Sequence, residues 1–223
     1  MPVRKIPKSF RAVTGRFPSL INDRCISYES KLEHDYYLTL EFDRSIKCYE
    51  EQPLEIPGTV NGRQVRYIPD CLITFKDSRP QLLVECKYST ELQDDNEKLQ
   101  IKIARLHEYA QQNRLEFRVI TENDIQAAYL NNCLRLYRYA KPPQNIAESG
   151  SQIFKILKKK HETTISGLLS ELGTNAREQA NFTPAIWHLL FTGMITTDLN
   201  TLITPNSVLR STDGQDTFTQ TRL

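Results

Sequence analysis

The stretches RYIPDCLITF (66–75) and LLVECKYS (82–89) decide the fold, because each is a strongly apolar run that nevertheless carries charge. Side chains of a strand alternate between two faces. Glu85 and Lys87 therefore share one face, and Val84 and Cys86 the other. Asp70 sits in a strand expected to pair with this one through the tight connection KDSRPQ (76–81). Three charged groups then gather on one side of a sheet. Burying an unpaired carboxylate is costly, so such a cluster binds a cation or forms ion pairs. Two carboxylates from adjacent strands make a hard-oxygen site suited to Mg2+ or Mn2+, with waters and phosphate oxygens as remaining ligands. A lysine beside it can orient the attacking water, help to deprotonate it, or stabilise negative charge on phosphorus. Those parts together perform phosphodiester hydrolysis. The competing reading is an Asp–Lys or Glu–Lys ion pair on a solvated sheet face, which is commoner for any lone ExK in a strand.

The surroundings support an α/β core. Upstream, YESKLEHDYYLTLEF (28–42) places Leu32, Tyr36 and Leu40 on one helical face, with Ser27 as the expected N-cap. Glu29 and Glu33 lie one turn apart, a mildly unfavourable pair that a cation would relieve. IKCYEEQPLEI (46–56) reads as a strand ending near Pro53. GTVNGRQVRYIPDCLITF (58–75) reads as a hairpin turning at Asn61-Gly62, its second strand running through Tyr67, Asp70 and Ile73. An amphipathic helix follows, roughly residues 95–113, with Leu99, Ile103, Leu106 and Ala110 on its buried stripe. EFRVIT (116–121) is a short strand, and TENDI (121–125) caps a further helix. A helix between two strands argues for a crossover and a mixed sheet flanked by helices.

AKPPQNIAESGS (140–151) reads as a linker. Beyond it, SQIFKILKKK (151–160), TISGLLSELG (164–173) and TPAIWHLLFTGMI (183–195) are three short amphipathic helices. TTDLNTLITPNSVL (196–209) resembles a small hairpin about Asp198–Asn200. Three helices and a hairpin form a winged-helix pattern, a helix-turn-helix variant. The last stretch, 210–223, is polar and expected to be disordered.

The chain has 223 residues, enough for one core plus a small appendage. Its N-terminus lacks the apolar segment of a signal peptide, and no run is long enough to cross a bilayer, so a cytoplasmic protein is expected. The five cysteines, Cys25, Cys48, Cys71, Cys86 and Cys133, form no CxxC pair and read as reduced, mostly buried thiols. A net charge of +2 gives no global nucleic-acid signal. Residues 1–20, however, hold Arg4, Lys5, Lys8, Arg11 and Arg16 and no acid, which suits phosphate neutralisation and equally a solvated tail.

The order PD…ExK resembles the restriction-endonuclease-like nuclease core. The wider set SYESKLEHDYYLTLEFDRSIKCYEEQP (27–53), RYIPDCLITF, LLVECKYS and FRVITENDI (117–125) resembles the TnsA endonuclease family over about residues 10–140. The resemblance implies a nuclease domain over 21–140 after a basic segment (1–20), a linker at 141–150, a winged-helix-like domain over 151–210 and a polar tail at 211–223. It places the helical catalytic glutamate at Glu33, the metal-binding aspartate at Asp70, and the catalytic lysine at Lys87. The next metal-ligand position, a glutamine in some members, is Glu85 here. Glu33, Asp70 and Glu85 would hold Mg2+, or Mn2+ in its place. The implied activity is cleavage of the non-transferred DNA strand at the 5′ ends of a bacterial transposon. The implied partners are transposon-end double-stranded DNA, a TnsB-like transposase, and a TnsC-like AAA+ ATPase met by the C-terminal domain. The other readings are a stand-alone restriction or repair nuclease, and a non-catalytic DNA-binding adaptor.

Several residues read as structural. Alternation turns Cys86 away from the charged face. His34, His107, His161 and His188 lack a second ligand at metal spacing and read as surface or partly packed. Gln52 ends a strand, where a hydrogen bond is the ordinary role and a metal water or phosphate the functional one. Lys98 and Lys102 share a helix face that is solvated or meets the DNA backbone. Trp187 reads as core, and the basic cluster KILKKKHE (155–162) marks the domain as a docking module.

Overall fold

The computed structural model describes residues 14–60 and 62–212. The basic residues Arg4, Lys5, Lys8 and Arg11 and the tail beyond 212 lie outside the described residues. The chain divides into two compact units between Ile125 and Gln126.

The first unit opens with a hairpin, β1 (Gly15–Ser19) and β2 (Arg24–Tyr28), followed by α1 (Lys31–Leu40). Helix α1 therefore starts later than expected. Arg24–Tyr28 is committed to pairing with β1, and Ser30 rather than Ser27 is the N-cap, its side chain accepting from the Glu33 N–H. Next come β3 (Ile46–Glu51), the hairpin β4 (Ile56–Val60) and β5 (Arg63–Tyr67), β6 (Cys71–Phe75), β7 (Leu82–Cys86), the short α2 (Ser89–Gln93), α3 (Glu97–Gln112) and β8 (Glu116–Ile120). The main sheet has the order β3-β6-β7-β8. Its first three strands are antiparallel, while β8 runs parallel to β7 with α3 as the crossover. The expected continuous strand through Tyr67, Asp70 and Ile73 is broken. β5 pairs only with β4 and ends at Tyr67, β6 begins at Cys71, and Asp70 stands in the gap.

The two faces of the sheet follow from alternation. Leu83 of β7 packs with Ile56 and with Leu106 and Ala110 of α3. On α1, Tyr37 stacks near Tyr49 of β3, ring centroids 5.8 Å apart. Glu41, at the end of α1, is buried but satisfied: it accepts from the Ser19 and Tyr49 hydroxyls and the Leu20 and Ile21 N–H groups. That carboxylate ties hairpin, helix and sheet together.

The second unit contains α4 (Ala127–Tyr137), α5 (Ile146–Lys160), β9 (Glu162–Thr164), α6 (Ile165–Leu172), α7 (Ala176–Thr192), β10 (Ile195–Thr196) and β11 (Val208–Ser211). Its sheet has the antiparallel order β10-β11-β9. The boundary thus falls earlier than residue 140, because α4 packs within this unit; Tyr137 meets Phe191 edge-on at 5.8 Å. Residues 146–150 of the expected linker are the first turn of α5, and α7 starts at Ala176 under an Asn175 cap rather than at Thr183. The expected hairpin forms with a long connection, and β9 completes it on the far side of β11. Trp187 is buried, with the Arg135 guanidinium 4.3 Å over its ring. Among the described residues no helix is long and apolar enough to cross a membrane.

Asn132 of α4 is 2% exposed and pins that connection. Its amide donates to the Leu199 and Thr201 carbonyls at 2.8 and 2.7 Å and accepts from the Ile203 N–H at 3.1 Å. Asn132→Ala strands these backbone groups and should cost at least about 2 kcal/mol. Urea unfolding followed by fluorescence of Trp187, the chain's single tryptophan, checks this; an unchanged midpoint would contradict it.

Candidate active site

Strand β7 carries five consecutive buried residues, LLVEC, and the fourth is Glu85, which is 0% exposed. Two positions beyond Leu83, Glu85 faces the same helix α3 and meets Lys102 there. Lys87 lies just past the strand, held by its N–H on the Ile120 carbonyl at 2.9 Å. Its ammonium stands 3.0 Å from Glu85 Oε1 and 2.9 Å from the Cys86 carbonyl. Two ammonium groups thus converge on one carboxylate oxygen. The other oxygen, Glu85 Oε2, is buried without a hydrogen-bond partner.

Asp70 is fixed from all sides. Its N–H donates to the Val84 carbonyl at 3.0 Å. Its own carbonyl accepts from the Gln52 N–H at 3.0 Å and the Tyr37 hydroxyl at 2.8 Å. Its carboxylate Oδ2 accepts from the Cys86 N–H at 2.7 Å. Burial first, then the negative fields of Glu85 and Glu33, push the Asp70 carboxyl up to about 8 against the pull of Lys87 and Lys102. The carboxyl therefore holds a proton near neutrality unless further positive charge arrives.

Glu33 occupies the first turn of α1 and is 7% exposed. Its carboxylate accepts from the Glu29 N–H at 2.8 Å and the Ser30 hydroxyl at 3.0 Å, while its own N–H donates to the Ser30 hydroxyl. Burial is the main cause that raises its carboxyl; the two hydrogen bonds oppose it, Glu29 adds to it, and Lys87 draws it back. Glu33, Asp70, Glu85 and Lys87 thus feel one another's fields. Lys87 itself is raised. Burial works against its charge, but Glu85 and Asp70 outweigh that, so its ammonium stays protonated.

Among the described residues no three His, Cys, Asp or Glu side chains form a ready-made metal cage. The donor chemistry nonetheless suits a hard divalent cation. Among the described residues, Glu85 Oε2 and Gln52 Oε1 are the buried side-chain polar atoms left without a partner, and both are oxygens. Asp70 and Glu85 could hold such an ion with waters completing its shell.

The remaining candidates separate. Arg16 is exposed on β1, its Nε 3.2 Å from the Ser27 hydroxyl, and Lys98 is exposed on α3. Lys102 corrects the expectation of a solvated face: a fully buried carboxylate across the crossover draws it into the site. His34 pairs with Asp35 at 2.9 Å, and His188 is buried with Nδ1 2.8 Å from the Tyr139 carbonyl, which makes it more enclosed than expected. Sequence reading missed Tyr37 and the Cys86 N–H, because both act through contacts with Asp70 that depend on the sheet register.

Since the folded-state carboxyl of Asp70 is raised, folding takes up a proton on it. That contribution is complete below the unfolded value of about 4 and fades as pH rises through about 8. Without divalent cations, the melting temperature should fall between about pH 5 and about pH 8, and Asp70→Asn should flatten the decline. Calorimetry of both proteins in chelator decides; identical profiles would contradict the assignment.

The protein-family comparison matches residues 43–122 to the TnsA-like endonuclease N-terminal model, a span that holds Asp70, Glu85 and Lys87. It matches residues 124–199 to the TnsA endonuclease C-terminal model. The two matches meet where the structure divides, between the units. No curated protein was found to match the chain. Matched in both halves and in order, the chain belongs to the TnsA family and is a nuclease subunit of a transposase.

Proposed function

We propose that this subunit is a Mg2+-dependent endonuclease, with Mn2+ able to replace Mg2+, that cuts the non-transferred strand at the 5′ ends of its transposon. The observation that carries the reading is the unpartnered Oε2 of the fully buried Glu85, beside Asp70 and two lysines. A carboxylate buried only for ion pairing is more stable with both oxygens satisfied. Leaving one bare costs about 1–3 kcal/mol that a cation can recover.

A bound divalent cation would supply Lewis acidity at the phosphate and a more acidic water. Asp70 and Glu85 would hold it, with Glu33 as the third expected ligand, its carboxylate oxygens already accepting from the Glu29 N–H and the Ser30 hydroxyl. In the reaction the water oxygen bonds to phosphorus and loses a proton to solvent, while the P–O ester bond breaks and its leaving oxygen takes up a proton from solvent to become the free hydroxyl. Lys87 is held in its ammonium form, which suits it to stabilise the developing phosphorane charge rather than to act as the base. Cys86 contributes its N–H, which aims Asp70. Lys98, Arg16 and the basic N-terminal residues are the DNA-backbone candidates.

We further assign the C-terminal unit, three helices with a small antiparallel sheet plus α4, to a winged-helix-like docking role. Helix α7 carries one arginine, Arg177, and no lysine, so reading bases in a major groove is a poor fit. The last turn of α5 carries Lys158, Lys159 and Lys160. A TnsC-like ATPase is the proposed partner there, with a TnsB-like transposase joining the 3′ ends.

The test is transposition with partners present. Asp70→Ala or Lys87→Ala should convert simple insertions into cointegrates, because only the 5′ cuts are lost. Unchanged products would overturn the reading, and loss of all joining would point to a scaffold role. The wild-type protein alone should be nearly silent on DNA; strong cutting without partners would favour a stand-alone nuclease.

A further inference from the structure

Gln52 follows the last residue of β3 and carries two separate costs. It is 5% exposed, yet its side-chain oxygen Oε1 is buried with no hydrogen-bond partner. Its backbone has φ +44°, a conformation that non-glycine residues adopt at a cost of about 1–3 kcal/mol. The only other such orphan among the described residues is Glu85 Oε2. Gln52 is also anchored to the same site, its N–H donating to the Asp70 carbonyl at 3.0 Å. Neighbouring Glu51 is by contrast fully engaged, bidentate with Arg24. A residue kept only to finish a strand would need neither the left-handed backbone nor a bare buried acceptor.

We propose that Gln52 is a further binding residue of the site, its Oε1 serving as a neutral oxygen donor to the hydrated divalent cation held by Asp70 and Glu85. This rests on the metal-dependent reading above. An amide oxygen suits the role: it binds a hard cation directly or accepts a hydrogen bond from its water. It adds no charge to a cluster already crowded with carboxylates. It also cannot accept from a phosphate oxygen, which has no proton to give.

The experiment is calorimetric titration of the full-length protein with Mn2+, alongside melting curves without metal. Wild type, Asp70→Ala, Gln52→Leu and Gln52→Glu are compared. Gln52→Leu removes the orphan oxygen at similar volume. It should weaken Mn2+ binding about fivefold or more, with a metal-free melting temperature unchanged or higher. Gln52→Glu should bind Mn2+ more tightly and melt lower without it. If wild type binds Mn2+, Asp70→Ala does not, and Gln52→Leu binds as wild type, this inference falls and the metal site stands. A Gln52→Leu protein that melts lower with unchanged affinity likewise overturns it in favour of a packing role. Should Gln52→Leu fail to fold, unchanged affinity in Gln52→Glu overturns it. If wild type fails to bind Mn2+, or Asp70→Ala binds equally well, the metal-dependent reading falls and takes this inference with it.

Discussion

A glutamate with no exposed surface, set near the end of a central strand, is the constraint around which the first unit is arranged. An isolated buried carboxylate would cost far more than one strand's packing returns. Two ammonium groups answer that cost, Lys87 from the end of the same strand and Lys102 from the crossover helix. Both meet Glu85 at the same oxygen, so positive charge is concentrated on one side and an acceptor is left open on the other. Asp70 and Glu33 bring further carboxyl groups to the cluster; burial first, and then neighbouring carboxylates, push both toward their protonated forms.

The surrounding architecture serves to hold these groups at the rim of the sheet. Breaking the strand before Cys71 frees Asp70 from ladder pairing while Val84, Gln52 and Tyr37 fix its backbone. The Cys86 N–H then aims its carboxylate. On α1, the same hydrogen bonds that cap the helix also orient Glu33, so local helix stability and site geometry come from one set of contacts. Buried Glu41 performs a purely structural version of the same task. It has a donor for each contact and nothing left over, and the comparison shows what a satisfied buried carboxylate looks like in this fold.

Much of this was legible from residues alone where the signal is local. The two-residue period set Glu85 and Lys87 on one face, and Gly62 marked the connection between β4 and β5, Asn61 lying outside the described residues. The Leu99, Leu106 and Ala110 stripe located α3. What was hidden depends on long-range register. Ser27 is not the cap because Arg24–Tyr28 pairs with β1, which leaves the start of α1 to Ser30. Lys102 lies three residues after Leu99 and four before Leu106, along the buried stripe, but its partner Glu85 comes from β7 and is met only in the fold. The early boundary reflects Asn132 reaching residues about seventy positions away, and Gln52 looked like an ordinary strand end until its oxygen proved to be unpartnered.

The central claim is that these buried oxygens are arranged for a divalent cation. Anomalous diffraction from crystals of the protein grown with Mn2+ tests it most directly. The account predicts one strong peak about 2.1 Å from carboxylate oxygens of Asp70 and Glu85. A map with no peak there, or with Mn2+ only at surface carboxylates, would contradict it.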